Sequence, residues 1–430
     1  MTVAEDATDT AAQPKTRFTS FRPLRHRQFA LVWSAALVSN VGTWMQTIAV
    51  GVLVTEITHK AGWVGFVTAA AFLPIGVLSP IGGALADRVE RRRFMLLTTI
   101  GETAFATGLA VAYATGHATP LVIAALAFSG GSMAALGFPC YQAMLPDLVG
   151  KDDLLAAVSL SAAQFNFGRV IGPVLAGLVI KFGGYSWAFG INAASFGAVM
   201  IALTLIRVPS PMERGEETLW QRIAQGVRVA KAEVGCRTAL TIGAVMAICA
   251  SPFIALIPAI AKLIFHGGSG TTSIFVTAQG VGAVLGALAI APLADRFGRR
   301  RMLITSFGLL PLALVLYGLA PDTALATVGL VLVGATYINV FSGLSVVLQL
   351  RAPAEFRGRV LSLWFVVVGV VYPIGAVVQG RLGDVIGLRA VTAGGALLMA
   401  GAVALFAVLR PGRLATLDDL SVSSGAAGAA

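Results

Sequence analysis

Charged side chains are scarce in this chain, and the few that interrupt its apolar stretches are the residues able to do chemistry. Of 430 residues, 12% are Asp, Glu, Lys or Arg and 57% are hydrophobic. A soluble domain carries about a quarter charged residues. Glu102 and Arg169 stand inside apolar runs. A carboxyl in such a place can carry a proton, and a guanidinium can meet an anion or a polar cluster. Asp87 and Asp295 stand in a nine-residue word written twice. Leu85-Ala86-Asp87-Arg88-Val89-Glu90-Arg91-Arg92-Arg93 and Leu293-Ala294-Asp295-Arg296-Phe297-Gly298-Arg299-Arg300-Arg301 differ only at Val89/Phe297 and Glu90/Gly298. A carboxylate beside a helix N-terminus is stabilised by ~0.3–1 kcal/mol.

Other chemistries are absent from the pattern. Cys140, Cys236 and Cys249 are an odd, scattered set, so no disulfide is expected. His26, His59, His117 and His266 form no i, i+4 pair, and no metal or cofactor is expected. No G-x-x-x-x-G-K-[ST] phosphate loop is present, and Gly150-Lys151 runs into Asp152. Gly280-Val281-Gly282 and Gly286 lie inside an apolar run, where close helix packing explains them. There is no Ser/His/Asp or paired-carboxylate constellation, so the chain does not read as an enzyme. Any pumping must draw on a gradient, with protons the expected coupling ion.

The elements that position these residues are apolar runs long enough to cross a ~30 Å hydrocarbon core as helices of ~20 residues. Twelve are expected, numbered in chain order: Phe29–Thr55, Ala61–Ala86, Phe94–Gly116, Ala118–Leu145, Leu154–Ile180, Trp187–Ile206, Thr238–Ala261, Gly267–Leu293, Met302–Pro321, Thr323–Leu350, Val360–Gly380 and Val391–Leu409. The repeated word follows the second and the eighth. The fold class is therefore an all-α membrane protein, with twelve transmembrane helices in two pseudo-symmetric six-helix halves. Paired halves of this kind are the usual build of a secondary transporter.

Most of the 31 Lys and Arg fall on one side. They lie in the N-terminal tail, both repeated loops, Lys151, the central connection, the stretch before the eleventh helix, and the C-terminal tail. The other side holds Lys60, Lys181, Lys262, Arg381 and Arg389. The basic side is expected to be cytoplasmic, with both termini there. The net charge of +11 then reports topology and contact with the lipid bilayer, not a nucleic-acid surface. No apolar core precedes Phe29, so a cleaved signal peptide is not expected. The expected organisation is a disordered cytoplasmic tail (1–28), a six-helix bundle (29–206), a cytoplasmic linker (207–237), a second bundle (238–409) and a disordered tail (410–430). Within the linker, Leu219, Ile223, Val227 and Val234 could share one face of an amphipathic helix on the inner leaflet.

Several polar residues recur at helical spacing. Asn40, Thr43, Trp44 and Thr47 share the first helix, and Asn339, Ser342, Ser345 and Gln349 the tenth. They suit a cavity for an amphipathic molecule, with Gln142, Met246, Phe253, Trp364 and Tyr372 as further wall. The competing reading is helix-to-helix bonding. In the fifth helix, Arg169 shares a stripe with Ser159, Ala162, Asn166 and Pro173. Arg169 is ~22 Å into its helix and Glu102 ~12 Å into the third, from the same side, so a direct pair is marginal. Arg169 reads as a contact for anionic cargo or as a structural Arg. Glu102 reads as a proton carrier or as a brace for its helix. Gly168-x-x-x-Gly172, Pro173 and Gly177 form a smooth face with a helix-bending proline. They are expected to act as a hinge and seal between the halves, with plain packing as the alternative. The spacing of Gly172 and Gly177 recurs as Gly375 and Gly380.

The doubled loop resembles the signature loops of the major facilitator superfamily. Further words narrow the likeness: Phe21-Arg22-Pro23-Leu24-Arg25, Ser39-Asn40-Val41-Gly42-Thr43-Trp44-Met45-Gln46-Thr47, Pro146-Asp147-Leu148-Val149, Asn166-Phe167-Gly168-Arg169-Val170-Ile171-Gly172-Pro173 and Pro353-Ala354-Glu355-Phe356-Arg357-Gly358-Arg359. From about Phe21 to Arg410 these resemble the bacterial branch of enterobactin-type siderophore exporters and macrolide-efflux relatives, the transmembrane secretion effector type. The helix with Gly172 is similar to the superfamily's antiporter motif, with Gly177 alone where a glycine pair is usual.

The resemblance implies that Gly83, Asp87, Arg88, Arg91 and Arg92, and Asp295, Arg296, Arg299 and Arg300, are gating loops. Asp87 would face the start of helix 11 near Arg357, Arg359 and Leu361. Asp295 would face the start of helix 5 near Lys151 and Leu154. Both contacts would form when the cytoplasmic side closes; the alternative is that the loops only anchor topology. Helices 1, 4, 7 and 10 would line the cavity. Glu90 and Ala291 depart from the loop pattern, which prefers Gly at both places. Helix 1 has no acid before Glu56 and helix 4 no Arg, so the usual proton-coupling residues do not carry over. The function implied is a secondary active exporter, acting as a monomer in the bacterial cytoplasmic (inner) membrane. It would move small-molecule cargo (an amphipathic siderophore, macrolide-like compound or drug) by alternating access. An uptake permease and a transport-dead sensor or scaffold are the alternatives.

Overall fold

The structure, a computed structural model, describes residues 19–86, 88–208, 219–410 and 412. The tails at 1–18 and 413–430, Asp87, Pro411, linker residues 209–218 and the side chains of Thr19, Ser20, Lys151, Leu219, Trp220, Arg222, Ala291, Arg299, Arg300 and Ala354 lie outside the description.

Every regular element among the described residues is a helix. The membrane-length helices are α1 (Arg27–Thr58), α2 (Ala61–Ala86), α3 (Arg91–Ala114), α4 (Pro120–Gly150), α5 and α6 (together Asp152–Leu205), α7 (Val234–Leu263), α8 (Ser269–Phe297), α9 (Arg299–Leu319), α10 (Thr323–Arg351), α11 (Arg357–Ile386) and α12 (Leu388–Leu409). Gly150 and Gly184 both take φ 75°, with ψ near 180°, and these two residues break an otherwise continuous helix into α4, α5 and α6. Only glycine adopts that conformation without a steric cost. Apolar side chains such as Leu97, Ile100, Leu397 and Leu398 stay exposed on α3 and α12, as a lipid-facing surface requires.

Two helices are interrupted. α7 breaks at Ser251-Pro252, where Ser251 Oγ bonds the Met246 carbonyl at 3.1 Å. α11 contains a π-turn at Val367–Val371, where Gly369 meets the backbone of Gly76. Such turns widen a helix locally.

The ends differ from the sequence expectation. Residues 19–28 are ordered: Thr19–Arg25 form a 3-10 turn and α1 starts at Arg27. The buried Asp153 carboxylate at the start of α5 holds them, taking Arg22 at 3.2 Å and His26 at 2.8 Å. The linker helix covers Leu219–Ala232, so Val234 does not share its face; Val234 opens α7, which Glu233 caps at the Cys236 N–H, 2.5 Å. The linker helix docks on the bundle. Gly226 packs on the Arg359 backbone, Arg359 donates to Gln225 Oε1, and Ala230 is buried.

Candidate functional site

Two antiparallel helix pairs join the halves. α2 runs against α11, and α5 against α8. We call the end that carries the repeated loops the basic end, and the other the far end.

At the far end both seams are closed. In the α2–α11 seam, a Cβ on Gly65 would collide with the Ala376 carbonyl, and one on Gly380 would lie 2.7 Å from the Ala61 oxygen. Asp384 caps α2 from across the seam, accepting the Ala61 N–H at 2.7 Å and the Gly62 N–H at 2.9 Å. Phe72 and Tyr372 meet edge to face at 5.6 Å. In the α5–α8 seam, Gly177 faces Ser273 and Gly280 faces Val170. Between α1 and α7, Lys262 approaches Glu56 at 3.9 Å, and Glu56 also accepts from Tyr185 at 2.6 Å.

The glycine spacing repeats its contacts as well as its letters. Gly172 packs on Trp44 and Met45 of α1, and Gly375 on Ile248 of α7. Gly177 and Gly380 then reach across to the other half. Gly168 packs on Asn40, within its own half. So among the glycines of the helix 5 set, Gly168 and Gly172 seal α5 to α1, and Gly177 meets the other half. Pro173 sits inside regular helix, since the non-helical residues of this stretch are Gly150 and Gly184.

Toward the basic end both seams part. Gly83 has nothing within 4 Å of a notional Cβ. Phe365 is exposed on α11, and Leu155, Ser159, Ala162 and Asn166 are exposed along α5. Facing α5, Leu288 and Asp295 are exposed on α8. Asp295 has no polar partner among the described residues. Asp87 lies outside them, as do the Arg299 and Arg300 side chains. Arg88 is exposed, and Arg296 lies over the Phe297 ring at 5.3 Å. The first loop is tied to its own half: Arg91 reaches Asp147 at 3.0 Å and the carbonyls of Ala143 and Ala86, while Arg92 reaches the Ile206 carbonyl at 3.2 Å.

Arg169 sits where the α5–α8 seam changes from closed to open, near the midpoint between Gly150 and Gly184. Its Nη2 donates to Gln279 Oε1 of α8 at 3.0 Å, and its guanidinium lies 5.7 Å from the Trp44 ring centre. Trp44 meets Phe165 edge on at 5.6 Å, and the Tyr337 and Tyr372 hydroxyls are in electrostatic reach. Among the described residues no carboxylate lies within ion-pair distance of Arg169.

The remaining expected cavity residues divide. Gln142 and Asn166 are exposed, and Asn166 bonds only its own helix at Ala162, 2.9 Å. Gln349 is exposed and bonds Ser345 of its own helix at 3.4 Å, while Ser342 is half-buried. Asn339 is buried with Oδ1 unpaired. Trp364 and Tyr372 are buried, Trp364 against Phe341 at 5.1 Å. Met246 and Phe253 are buried in the core cluster that also holds Trp364. Glu102 lies on the face of α3 that carries Thr98, Ala106 and Leu109, and has no polar partner among the described residues.

The sequence profile of the transmembrane secretion effector family matches residues 18–424. The chain belongs to that family. The enterobactin exporter EntS of Shigella boydii is 31% identical over 366 residues, 83% of this chain and 86% of that protein. EntS of Citrobacter koseri is 28% identical over 361 residues, with the same coverage of both chains. The nucleoside transporter NupG superposes with a TM-score of 0.72 at 13% identity, covering 89% of this chain and 99% of that one. A D-xylose–proton symporter superposes at 0.68 and 15%, covering 87% and 96%. At those identities the likeness is one of fold, the major facilitator fold. This secretion-effector-family chain is thus a multi-pass membrane transporter. Sequence reasoning missed Gln279 and Asp384. Gln279 left one trace, an amide alone in the apolar run of α8.

Proposed function

We propose that this transporter exports an amphipathic small organic molecule by alternating access, driven by the proton gradient. The observation that carries the reading is the pair of seams, both closed at the far end and parted at the basic end, with Arg169 where closure stops. The basic end is the cytoplasmic one by its Lys and Arg, so the seams part toward the side from which an exporter loads. The enterobactin-exporting relatives support export over uptake. The cavity group is Asn40, Trp44, Gln142, Asn166, Arg169, Asn339, Ser342, Gln349, Trp364 and Tyr372, and Glu102 is the candidate proton carrier.

The loops act as gates in this reading. The α2–α11 register pairs Gly62 with Asp384 and Gly76 with Gly369. In this reading Asp87 meets the start of α11, near Arg357, Arg359 and Leu361. The α5–α8 register pairs Gly177 with Ser273 and Val170 with Gly280. Continued, it sets Asp295 opposite Leu155. Each carboxylate would then meet a helix N-terminus when that end closes.

The test is export from cells at constant ATP. An uncoupler should abolish it, and export that persists on ATP alone ends the secondary-transport reading. For orientation, Ser269→Cys should react with an impermeant thiol reagent outside intact cells and Ser210→Cys should not.

A further inference from the structure

Arg169 and Gln279 are mismatched as a pair. A guanidinium offers five N–H donors and no acceptor. Gln279 Oε1 takes one of them. Gln279 is 1% exposed and its Nε2 has no acceptor. Gln279 therefore holds an unmet donor in the middle of the membrane, next to a half-buried guanidinium with no carboxylate beside it among the described residues. Buried charges are ordinarily paired. What is missing is an acceptor that is negative and has lone pairs in two directions.

The surroundings define what would carry it. Trp44 stands over the guanidinium, Phe165 meets Trp44 edge on, and Phe165 is half-exposed beside the exposed Asn166, on the side where the seam is parted. Aromatic rings next to a cation suit a flat aromatic body. We infer that Arg169 and Gln279 recognise an oxyanion attached to an aromatic ring, a carboxylate or a phenolate, and that this anion replaces Gln279 Oε1 on the guanidinium. The inference rests on the transporter reading and names the cargo class. It also gives binding a mechanical consequence. The Arg169–Gln279 bond ties α5 of one half to α8 of the other, so the anion that replaces it releases the tie from within.

The test uses the full chain in detergent, with 2-naphthoate and its neutral, equally shaped analogue 2-naphthamide, read by titration calorimetry. A charge-assisted pair predicts that naphthoate binds about tenfold or more tightly. Arg169→Gln should bring the two probes to within about twofold of each other. Gln279→Glu supplies a resident carboxylate, and should lose naphthoate affinity while keeping naphthamide affinity. Gln279→Leu removes the Nε2 donor as well as Oε1, and should bind naphthoate more weakly than the wild type while keeping its preference over naphthamide. A merely structural Arg169–Gln279 bond predicts none of this pattern. Equal affinity for both probes in the wild type, or binding of neither, overturns the inference; so does a preference that survives Arg169→Gln. Should Arg169→Gln fail to fold, the wild-type comparison and Gln279→Glu decide. Transport is scored separately in vesicles. A chain that transports yet binds both probes alike loses the anion site alone. A chain that selects naphthoate yet moves nothing keeps the site and loses the transporter reading.

Discussion

The α2–α11 and α5–α8 seams occupy equivalent places in the two-half design, yet they are joined by different chemistry. α2–α11 is closed by backbone against backbone, with Gly65 on Ala376, Gly76 on Gly369 and Gly380 on Ala61. Asp384 adds two hydrogen bonds to helix-end amides. α5–α8 has looser contacts, Gly177 on a serine side chain and Gly280 on a valine, and among the described residues one polar tie, Arg169 to Gln279. Small residues that let backbones touch make stable helix pairs in lipid. A single side-chain hydrogen bond is worth only ~0.5–1.5 kcal/mol net. The duplication kept the geometry of both seams and left them unequal. One is suited to stay engaged as a pivot, the other to respond to what binds beside it.

The harshest break of this comparison is steric. Gly65→Val puts a branched side chain into the Ala376 carbonyl, and backbone must move. Overpacking typically costs ~1–3 kcal/mol, occasionally more. We expect a clearly lowered melting temperature and loss of transport. Gly177→Ala meets Ser273 rather than backbone at close range: Oγ at 2.6 Å can rotate, and Cβ at 3.1 Å must give by a few tenths of an ångström, so it should cost ~1 kcal/mol, less than Gly65→Val. Equal damage at both sites, read by melting temperature and transport rate, would remove the distinction between pivot and responsive seam.

The loop carboxylates test the basic end. Asp87→Asn removes a charge that would meet a helix start, an interaction worth up to ~2 kcal/mol where partly buried. Transport should fall about tenfold or more, with membrane insertion kept and cargo affinity within a few fold. Asp295→Asn should act in the same direction but more mildly, because Ala291 stands where Gly83 opens the first loop. Wild-type transport by Asp87→Asn, or a fall that tracks only lost protein, defeats the gate assignment.

The inequality of the seams was only partly legible in the sequence. Twelve spans follow from apolar length, and the doubled Asp-Arg word announces two halves, because both are local patterns. The equal spacing of Gly172/Gly177 and Gly375/Gly380 even encodes which neighbour each glycine meets. Register between helices of different halves is not local. No pattern within α8 says that Gln279 meets Arg169, and nothing within α11 says that Asp384 ends above the α2 N-terminus. For the same reason the sequence does not say that Met246, Phe253 and Trp364 share one buried cluster. The faces of α7 are set by its break at Ser251-Pro252, which hydropathy does not register. The ordering of residues 19–28 depends on Asp153, far along the chain.

A smaller effect is expected where a polar contact reinforces the pivot. Asp384→Ala leaves the Ala61 and Gly62 N–H groups without their acceptor. Loss of a helix cap costs ~0.5–2 kcal/mol, typically ~1. About 1 kcal/mol shifts a two-state balance roughly fivefold. The far end should open more often, and a Cys at Ser273 should react about fivefold faster with an impermeant thiol reagent. An unchanged rate would mean that the glycine contacts alone hold the seam.

The mildest substitution asks whether charge across the far end matters beyond the two seams. Lys262 of α7 stands 3.9 Å from Glu56 of α1, and both side chains are about one-third exposed. Pairs of this kind contribute ~0–1 kcal/mol and are screened by salt. Glu56 keeps its 2.6 Å hydrogen bond from Tyr185 without the lysine. Lys262→Met should therefore leave transport within about twofold of wild type, and the Ser273 labelling rate as well. A shift as large as that of Asp384→Ala would make the α1–α7 contact a third closing element and end the two-seam account of the far end.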